Sequence, residues 1–198
     1  MKPDLKKTYT KLMEEIMSQP SIKPEEIPNI DVYMDQLTTF MDEHLRAYTR
    51  NPERDKVLTK TMINNYTKNK LLPPPHKKKY SPEHLILLIY IFYLKRNFSI
   101  EDIRSFITPL KRLMEEENGN IPLKDVYAES LLWSEEEWES IRSETDRLFE
   151  KASDSFPELE EPMRSELRLF SFLQLMVLEI HVRQVLIEKL IDVYREDV

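Results

Sequence analysis

The side chains best suited to chemistry in this sequence lie in a short segment that begins at Thr59 and ends near Lys70. The segment is amphipathic, and it contains hydroxyl, amide and basic residues but no acidic one. Amide side chains can bind the edge of adenine, hydroxyls reach bases or phosphates, and lysines neutralise phosphate. The polar residues share one continuous helical face, at i, i+1, i+4, i+5 and i+8, and are Lys60, Thr61, Asn64, Asn65 and Lys68. The segment therefore predicts a helix over residues 59–70 that reads nucleic acid.

A basic loop follows this helix. Three consecutive prolines at residues 73–75 end the helix and favour an extended backbone. One histidine and three lysines come next, namely His76, Lys77, Lys78 and Lys79. Alternate side chains of an extended segment point to opposite sides, so the lysines are not expected to bind one phosphate together. We expect the loop to add phosphate contacts behind the helix.

The distribution of charge indicates a local site for an anionic partner. The chain of 198 residues has a formal net charge of −7, which by itself argues against general binding of nucleic acid. Residues 50–79, however, hold nine basic and two acidic side chains, a local charge of +7 that leaves −14 on the rest. A basic patch on an acidic body attracts phosphate locally and repels DNA elsewhere. Double-stranded DNA is therefore the expected partner.

Composition argues against several other classes of protein. The single glycine, Gly119, argues against the glycine-rich turns of Rossmann and phosphate-loop enzymes and favours an all-helical chain. Without cysteine there is no disulfide, thiolate nucleophile or cysteine-based zinc site. The four histidines lack metal-ligand spacing and no nucleophile stands in a catalytic sequence, so neither an enzyme nor a cofactor is expected.

The sequence also predicts where the protein acts. The N-terminus lacks a long apolar core and a cleavage site, so no signal peptide is expected. We expect the most apolar stretch, residues 169–182, to be too short and too polar to span a bilayer. We expect a cytoplasmic protein with no membrane partner.

Capping signals and hydrophobic spacing predict eight helices. Three of them share a start signal, in which a hydroxyl residue follows the first of two apolar residues spaced five apart; the hydroxyls are Thr59, Ser81 and Ser99. Asp31 is the expected N-cap of the second helix, and Ser134 with Glu137 forms a capping box that opens the seventh. The predicted helices cover 4–18, 31–48, 59–70, 82–96, 100–108, 123–132, 134–151 and 162–195.

These elements suggest three parts. Residues 1–30 hold a helix and a proline-rich arm, residues 31–114 a helix-turn-helix domain, and residues 115–198 a C-terminal helical bundle. The helix at 82–96 is apolar almost all round and should lie at the centre of the second part. The last helix also lacks a polar face in its middle, and such a helix must be covered. A second copy of the chain is the expected cover, which predicts a homodimer with dimerisation or sensing in the C-terminal part.

The order of these residues resembles a known DNA-binding family. Thr-Lys-Thr-Met-Ile-Asn-Asn-Tyr at 59–66 is followed by Leu-Leu-Pro at 71–73, and a basic turn closes with Lys-Tyr-Ser at 79–81. Together with Phe-Ser-Ile-Glu-Asp-Ile at 98–103, this order looks like the winged helix-turn-helix of MerR-type regulators. It is also similar to a bacterial family that carries a domain of unknown function, family 1836. The MerR pattern has a glycine where this chain has Lys70.

The resemblance implies a MerR-like winged helix-turn-helix whose second helix, here 59–70, enters the major groove. By position it implies that Lys77, Lys78 and Lys79 sit on the wing. The residues expected to contact DNA are Thr59, Lys60, Thr61, Asn64, Asn65, Tyr66, Lys68, Lys70, His76, Lys77, Lys78 and Lys79.

The leading hypothesis is a DNA-binding transcriptional regulator that acts as a homodimer. Two alternatives stay open from the sequence. The helix-turn-helix scaffold could bind a protein partner through the same basic patch, or the C-terminal bundle could sense a small-molecule effector of unknown identity. Aromatic and methionine side chains there permit such a pocket, although an ordinary core also contains them; they are Trp133, Trp138, Phe170, Phe172 and Met176.

Overall fold

The protein is mostly helical, in agreement with the predicted class. The computed structural model describes residues 4–115 and 121–196. The described residues contain seven α-helices and one two-stranded antiparallel sheet. In chain order they are α1 (Leu5–Met17), β1 (Val32–Tyr33), α2 (Met34–Leu45), α3 (Lys60–Lys68), β2 (Lys79–Tyr80), α4 (Pro82–Leu94), α5 (Ile100–Glu115), α6 (Leu123–Ser153) and α7 (Met163–Glu196).

The chain divides into two compact units, and each contains two separate segments of sequence. Residues 21–131 and 191–198 form one, called here the α4 unit. Residues 1–20 and 132–190 form the other, called here the α1/α7 unit. The sequence-based boundaries at 30 and 114 are sequential, whereas the observed units interleave along the chain.

Helix α4 lies at the centre of the α4 unit. Eight of its residues are buried, including every residue from His84 to Ile89. A helix that is apolar on all sides must be covered on all sides. The core of the α4 unit also contains buried residues from α2, α3, α5 and α6. The predicted central position of this helix is confirmed.

The proline-rich arm between α1 and β1 is packed against this core. Ile22 and Ile27 are each 2% exposed and belong to the same cluster as α4. The hydroxyl of Tyr127, in α6, donates a hydrogen bond of 2.6 Å to the backbone oxygen of Ile22. The arm is thus part of the α4 unit and not a free linker.

The three helix starts that share a capping signal are confirmed. At α3 the hydroxyl of Thr59 accepts a hydrogen bond of 3.2 Å from the backbone N–H of Met62. At α4 Ser81 and His84 form a capping box, and Pro82 is the first helical residue. Such signals act over three or four residues of the chain, and at these helix starts the observed caps agree with them.

Helix α2 begins three residues later than predicted. Asp31 is not its N-cap; that position belongs to Tyr33, whose backbone N–H donates to the Gln36 side chain at 2.9 Å. The reason is that Val32 and Tyr33 pair with β2, so the chain stays extended until Met34.

Two predicted helices are in fact one. α6 passes without a break through the predicted capping box of Ser134 and Glu137, both of which are exposed. Neither proline nor glycine lies between residues 123 and 153, so nothing interrupts the backbone hydrogen bonds. α5 likewise continues through Pro109 beyond its predicted end, because Leu110 packs against the core.

An aromatic cluster forms the core of the α1/α7 unit. The rings of Tyr9 and Phe149 stack with centroids 4.2 Å apart, and Phe172 meets both rings edge-on. The Tyr9 hydroxyl donates to the Asp146 carboxylate. Burial, reinforced by that carboxylate, raises the pKa of Tyr9, so its hydroxyl stays protonated. Packing and this hydrogen bond together hold α1 against α6 and α7.

Much of α7 is both apolar and exposed. By length and composition alone, its residues Met163–Arg195 form a helix that could cross a membrane, and 6% of the most apolar window is buried. The length and polarity of α7 therefore do not exclude that it spans a bilayer. The sequence-based expectation was that the apolar stretch at 169–182 is too short and too polar to do so. A single apolar helix is equally typical of a protein interface. The exposed apolar residues are Met163, Leu169, Phe170, Leu173, Val177, Leu178, Ile180, Val182, Leu186, Leu190, Val193 and Tyr194.

The buried capping residue His84 predicts a pH dependence of stability. His84 is 6% exposed, and desolvation lowers its pKa, although Glu83 and Asp31 act in the opposite direction. The folded pKa is below the unfolded value of about 6.5, so the unfolded chain binds more protons below that pH. We expect the free energy of unfolding to fall as pH drops below about 6.5, measured by urea denaturation at several pH values.

Replacement of this histidine gives the control. In His84→Gln the amide oxygen can still accept the hydrogen bond from Ser81, so the capping box is kept. The variant should lose part of the pH dependence, while His76→Gln, at an exposed site, should retain it. Equal slopes for native protein and His84→Gln would contradict the assignment.

Candidate nucleic-acid interface

Helix α3 presents the predicted polar face to solvent. Ile63 is fully buried and directs the opposite face into the core of the α4 unit. Thr59 is half-buried because its hydroxyl caps the helix. The five residues of the predicted face are all exposed: Lys60, Thr61, Asn64, Asn65 and Lys68.

One residue implied by the family resemblance lies elsewhere. Tyr66 is 9% exposed and belongs to the core, so its side chain does not share the exposed face. Burial raises the pKa of its phenol. The reason lies in helical spacing, since Tyr66 follows the buried Ile63 by three positions and points to the same side. The expectation that Tyr66 faces DNA is therefore wrong for the side chain.

Helix α3 ends in a left-handed turn at Lys70. Its φ angle is 57°, a conformation that favours glycine. The turn lets the backbone N–H groups of Leu71 and Leu72 reach the oxygen of Tyr66, at 2.8 and 3.2 Å. An exposed lysine therefore adopts a backbone shape that glycine fits best.

The basic loop is a tight reverse turn instead of an extended strut. Lys77 and Lys78 have φ angles of 48° and 65°, and the backbone N–H of Lys79 donates to the oxygen of His76 at 2.9 Å. Two central residues with positive φ between paired residues are the features of a type I′ hairpin turn. The expected alternation of lysine side chains therefore does not hold, and Lys77 and Lys78 both lie at the tip.

This turn, defined here as the lysine tip (residues 76–79), is fixed to the body by a strand pairing. β2 pairs antiparallel with β1, with Tyr33 opposite Lys79. The ammonium of Lys79 lies over the Tyr33 ring, 5.3 Å from its centroid, and this lysine is half-buried. His76, Lys77 and Lys78 are exposed. Among the described residues, Lys77 and Lys78 thus have no ion-pair partner, whereas Lys79 packs on Tyr33 and helps to hold the turn.

One cation of α3 has an acidic neighbour. Lys60 forms an ion pair with Asp35, and the two side chains are 59% and 78% exposed. Exposed pairs of this kind are weak and screened by salt. Lys60 can therefore exchange Asp35 for a phosphate at small cost.

A second group of cations lies in the same unit, and sequence analysis did not assign it. Arg50, Lys56, Lys95 and Arg96 line a cavity of about 290 Å³ together with Asp55. The ammonium of Lys95 donates to the oxygen of Val57 at 2.6 Å, and burial, with the neighbouring Arg96, lowers the pKa of this lysine. Arg50 and Lys56 fall within the basic stretch at residues 50–79. Lys95 and Arg96 lie about 40 positions later in the sequence, and only the fold brings them close.

Comparison with known proteins identifies the family. Residues 22–130 match the family model described as Domain of unknown function (DUF1836). The chain belongs to this family. No curated protein and no solved structure matches. The matched segment contains α2, α3, the lysine tip, α4 and α5, and so includes the whole candidate interface.

The left-handed lysine at the end of α3 predicts a stabilising substitution. Lys70→Gly should raise the free energy of unfolding by about 0.5–1 kcal/mol, because relief of a left-handed residue outweighs the greater entropy loss of glycine. Urea denaturation followed by circular dichroism measures this change. Asn69→Gly is the matched control: its φ is −87° and its side chain donates to Asn65, so this change should destabilise the protein. A destabilised Lys70→Gly would contradict the assigned backbone shape.

Proposed function

We propose that this protein is a cytoplasmic DNA-binding transcriptional regulator that reads the major groove with α3. The observation that carries the proposal is the backbone strain at the candidate interface. Of the four described non-glycine residues with positive φ, three are lysines at the end of α3 or on the lysine tip: Lys70, Lys77 and Lys78. Each such residue costs on the order of 1 kcal/mol and tends to occur at functional sites. Lysine at all three positions favours a role for the charge.

The order of elements supports a MerR-like winged helix-turn-helix as the form of this domain. A short strand leads into α2, a connection leads to α3, and a two-residue hairpin turn follows before α4. In this arrangement α3 is the recognition helix and the lysine tip takes the place of the wing. Asn64 and Asn65 are the candidates for base contacts, and the lysines of α3 and of the tip are candidates for phosphate contacts.

The lysine tip provides a direct test of DNA binding. For native protein titrated with genomic DNA fragments, log K should fall with log salt by about 0.9 per phosphate neutralised. The variant Lys77→Asn/Lys78→Gly keeps the turn, because Asn-Gly is the preferred type I′ pair, and removes both free cations. Its salt dependence should be shallower by up to about 1.8, if each lysine neutralises one phosphate.

The control removes two charges outside the candidate interface. Lys11→Gln/Lys189→Gln changes exposed residues of the α1/α7 unit and should leave the slope unchanged. No binding at low salt, or the same slope for tip variant and control, would rule out the DNA hypothesis. A tip that matters only for a protein partner, the alternative use of this scaffold, would give that result.

A homodimer completes the proposal, because a row of exposed apolar residues along α7 is typical of a protein interface. Within the α1/α7 unit, Leu169, Leu173, Val177 and Ile180 follow one another at helical spacing and are 40–62% exposed. They continue a groove of about 400 Å³ between α1 and α7, whose lining includes Leu5 and Leu12. A second copy supplies a helix of matching length and apolarity.

Sensing of a small apolar molecule is the second candidate for this groove. Its volume falls within the range of ligand sites. The exposed row, however, runs on from Leu173 past the groove to Ile180, farther than a small molecule covers. We therefore favour the second copy as its occupant.

The dimer is tested by mass and by a variant with two charged substitutions. Native protein at micromolar concentration should sediment at about twice the chain mass of 23.8 kDa. Leu173→Glu/Val177→Glu should shift it to the monomer, since buried carboxylates in an apolar interface are costly. Lys189→Glu, an exposed polar site on the same helix, should not. A native protein that sediments as a monomer would contradict the proposed dimer.

A further inference from the structure

The C-terminal end of α3 is held by two cations from α5. The guanidinium of Arg104 donates to the backbone oxygen of Asn69 at 3.0 Å, and the ammonium of Lys111 donates to the oxygen of Lys70 at 2.8 Å. These donors are seven positions apart, two turns along one face of α5. The last carbonyls of a helix have no intrahelical partner, and cations at that end are stabilised by the helix dipole.

These carbonyls belong to the left-handed turn that ends α3. Lys70 is the left-handed residue at which the chain reverses, and Leu71 and Leu72 return to the core directly after it. Three prolines then lead to the tip. A displacement of this turn would move the end of α3, which carries the proposed DNA contacts of Asn65 and Lys68.

Helix α5 is itself held at its first turn. The Ser99 hydroxyl donates to the Asp102 carboxylate at 2.6 Å. Arg195, in the last turns of α7, donates to that carboxylate and to the Ser105 hydroxyl, each at 3.0 Å. The hydrogen bond from Ser99 and the charge of Arg195 both lower the pKa of Asp102, so the carboxylate is ionised at neutral pH. The side chains of Arg195 and Asp102 are 39% and 20% exposed.

We propose that α5 acts as a clamp on the recognition helix, with Arg104 and Lys111 as positioning residues for DNA reading. In this clamp the contact of Arg195 with Asp102 and Ser105 fixes α5, and α5 fixes the left-handed turn of α3. The inference rests on the proposed function for its effect on DNA. The mechanical part, that α5 holds the end of α3, stands on the hydrogen bonds alone.

Positioning has to be distinguished from direct contact, since Arg104 and Lys111 are cations that could themselves meet phosphate. A direct contact contributes about 0.9 to the slope of log K against log salt. A positioning residue leaves that slope unchanged and lowers affinity by the same factor at every salt concentration. The two roles therefore give different results in the same titration.

The experiment combines hydrogen exchange with DNA titration on the full chain. In Arg104→Ala/Lys111→Ala, amides 69–72 should exchange about tenfold faster, because each lost bond involves a charged group. DNA affinity should fall about tenfold with an unchanged salt slope. Arg104→Lys/Lys111→Arg, which keeps both charges and donors, should recover much of both. Arg112→Ala removes an exposed cation adjacent to Lys111 and is the matched control.

A third variant tests the contact that holds α5. Arg195→Ala should accelerate exchange of the same amides, with a smaller effect than the double variant because both caps remain. Arg195→Lys should restore one of its two hydrogen bonds and part of the protection. An unchanged exchange rate in this variant would remove Arg195 from the clamp.

The remaining outcomes separate the clamp from the function on which it rests. Unchanged exchange at 69–72 in the double variant would overturn the clamp, and a shallower salt slope would make Arg104 and Lys111 direct contacts instead of positioning residues. If native protein binds no DNA, the proposed function fails, and the exchange result alone decides whether α5 holds α3.

Discussion

The burial of α4 is the constraint on which the rest of the α4 unit depends. This helix has almost no polar face, so every side of it must be covered. The arm, α2, α3, α5 and the start of α6 provide that cover. Helix α3 buries Ile63 and Tyr66 in this core and leaves its opposite face exposed. The candidate interface is therefore the solvent side of an element that the core already holds in place, as a site needs for fixed geometry.

Some features that depend on neighbouring residues could be predicted from the sequence, although the local capping signals at Asp31 and Ser134 were overridden by the fold. The cap at Thr59 and the polar face of α3 follow from spacing within a few positions, and the structure places both as expected. The start of α2 could not be predicted, because it depends on the pairing of Val32 with Tyr80, far along the chain. The role of Arg104 is equally invisible, since its partner Asn69 lies 35 positions away. A run of lysines also gives no sign of a hairpin turn, for which glycine or asparagine is the usual signal.

Some cations of the candidate interface help to hold its backbone in place, and others are exposed. Lys79 lies over the Tyr33 ring, and Lys111 and Arg104 donate to backbone carbonyls. Lys77 and Lys78 are exposed at the lysine tip, and among the described contacts neither has an ion-pair partner. A count of basic residues along the sequence treats all of them alike and so overestimates the charge that is available to a phosphate. The distinction follows from backbone geometry, which composition does not contain.

The left-handed lysines bear on whether the charge serves a purpose. Scarcity of glycine in the chain could explain why Lys70, Lys77 and Lys78 stand where glycine fits best. Asparagine tolerates the left-handed conformation far better than lysine does. The segment does contain asparagines, but Asn64 and Asn65 lie inside helix α3 and not at the left-handed positions. Conformational fit alone would therefore select asparagine at these three sites. What lysine adds there is an exposed positive charge, at a cost in stability at each position. We propose an anionic partner as the physical reason that accounts for all three residues at once.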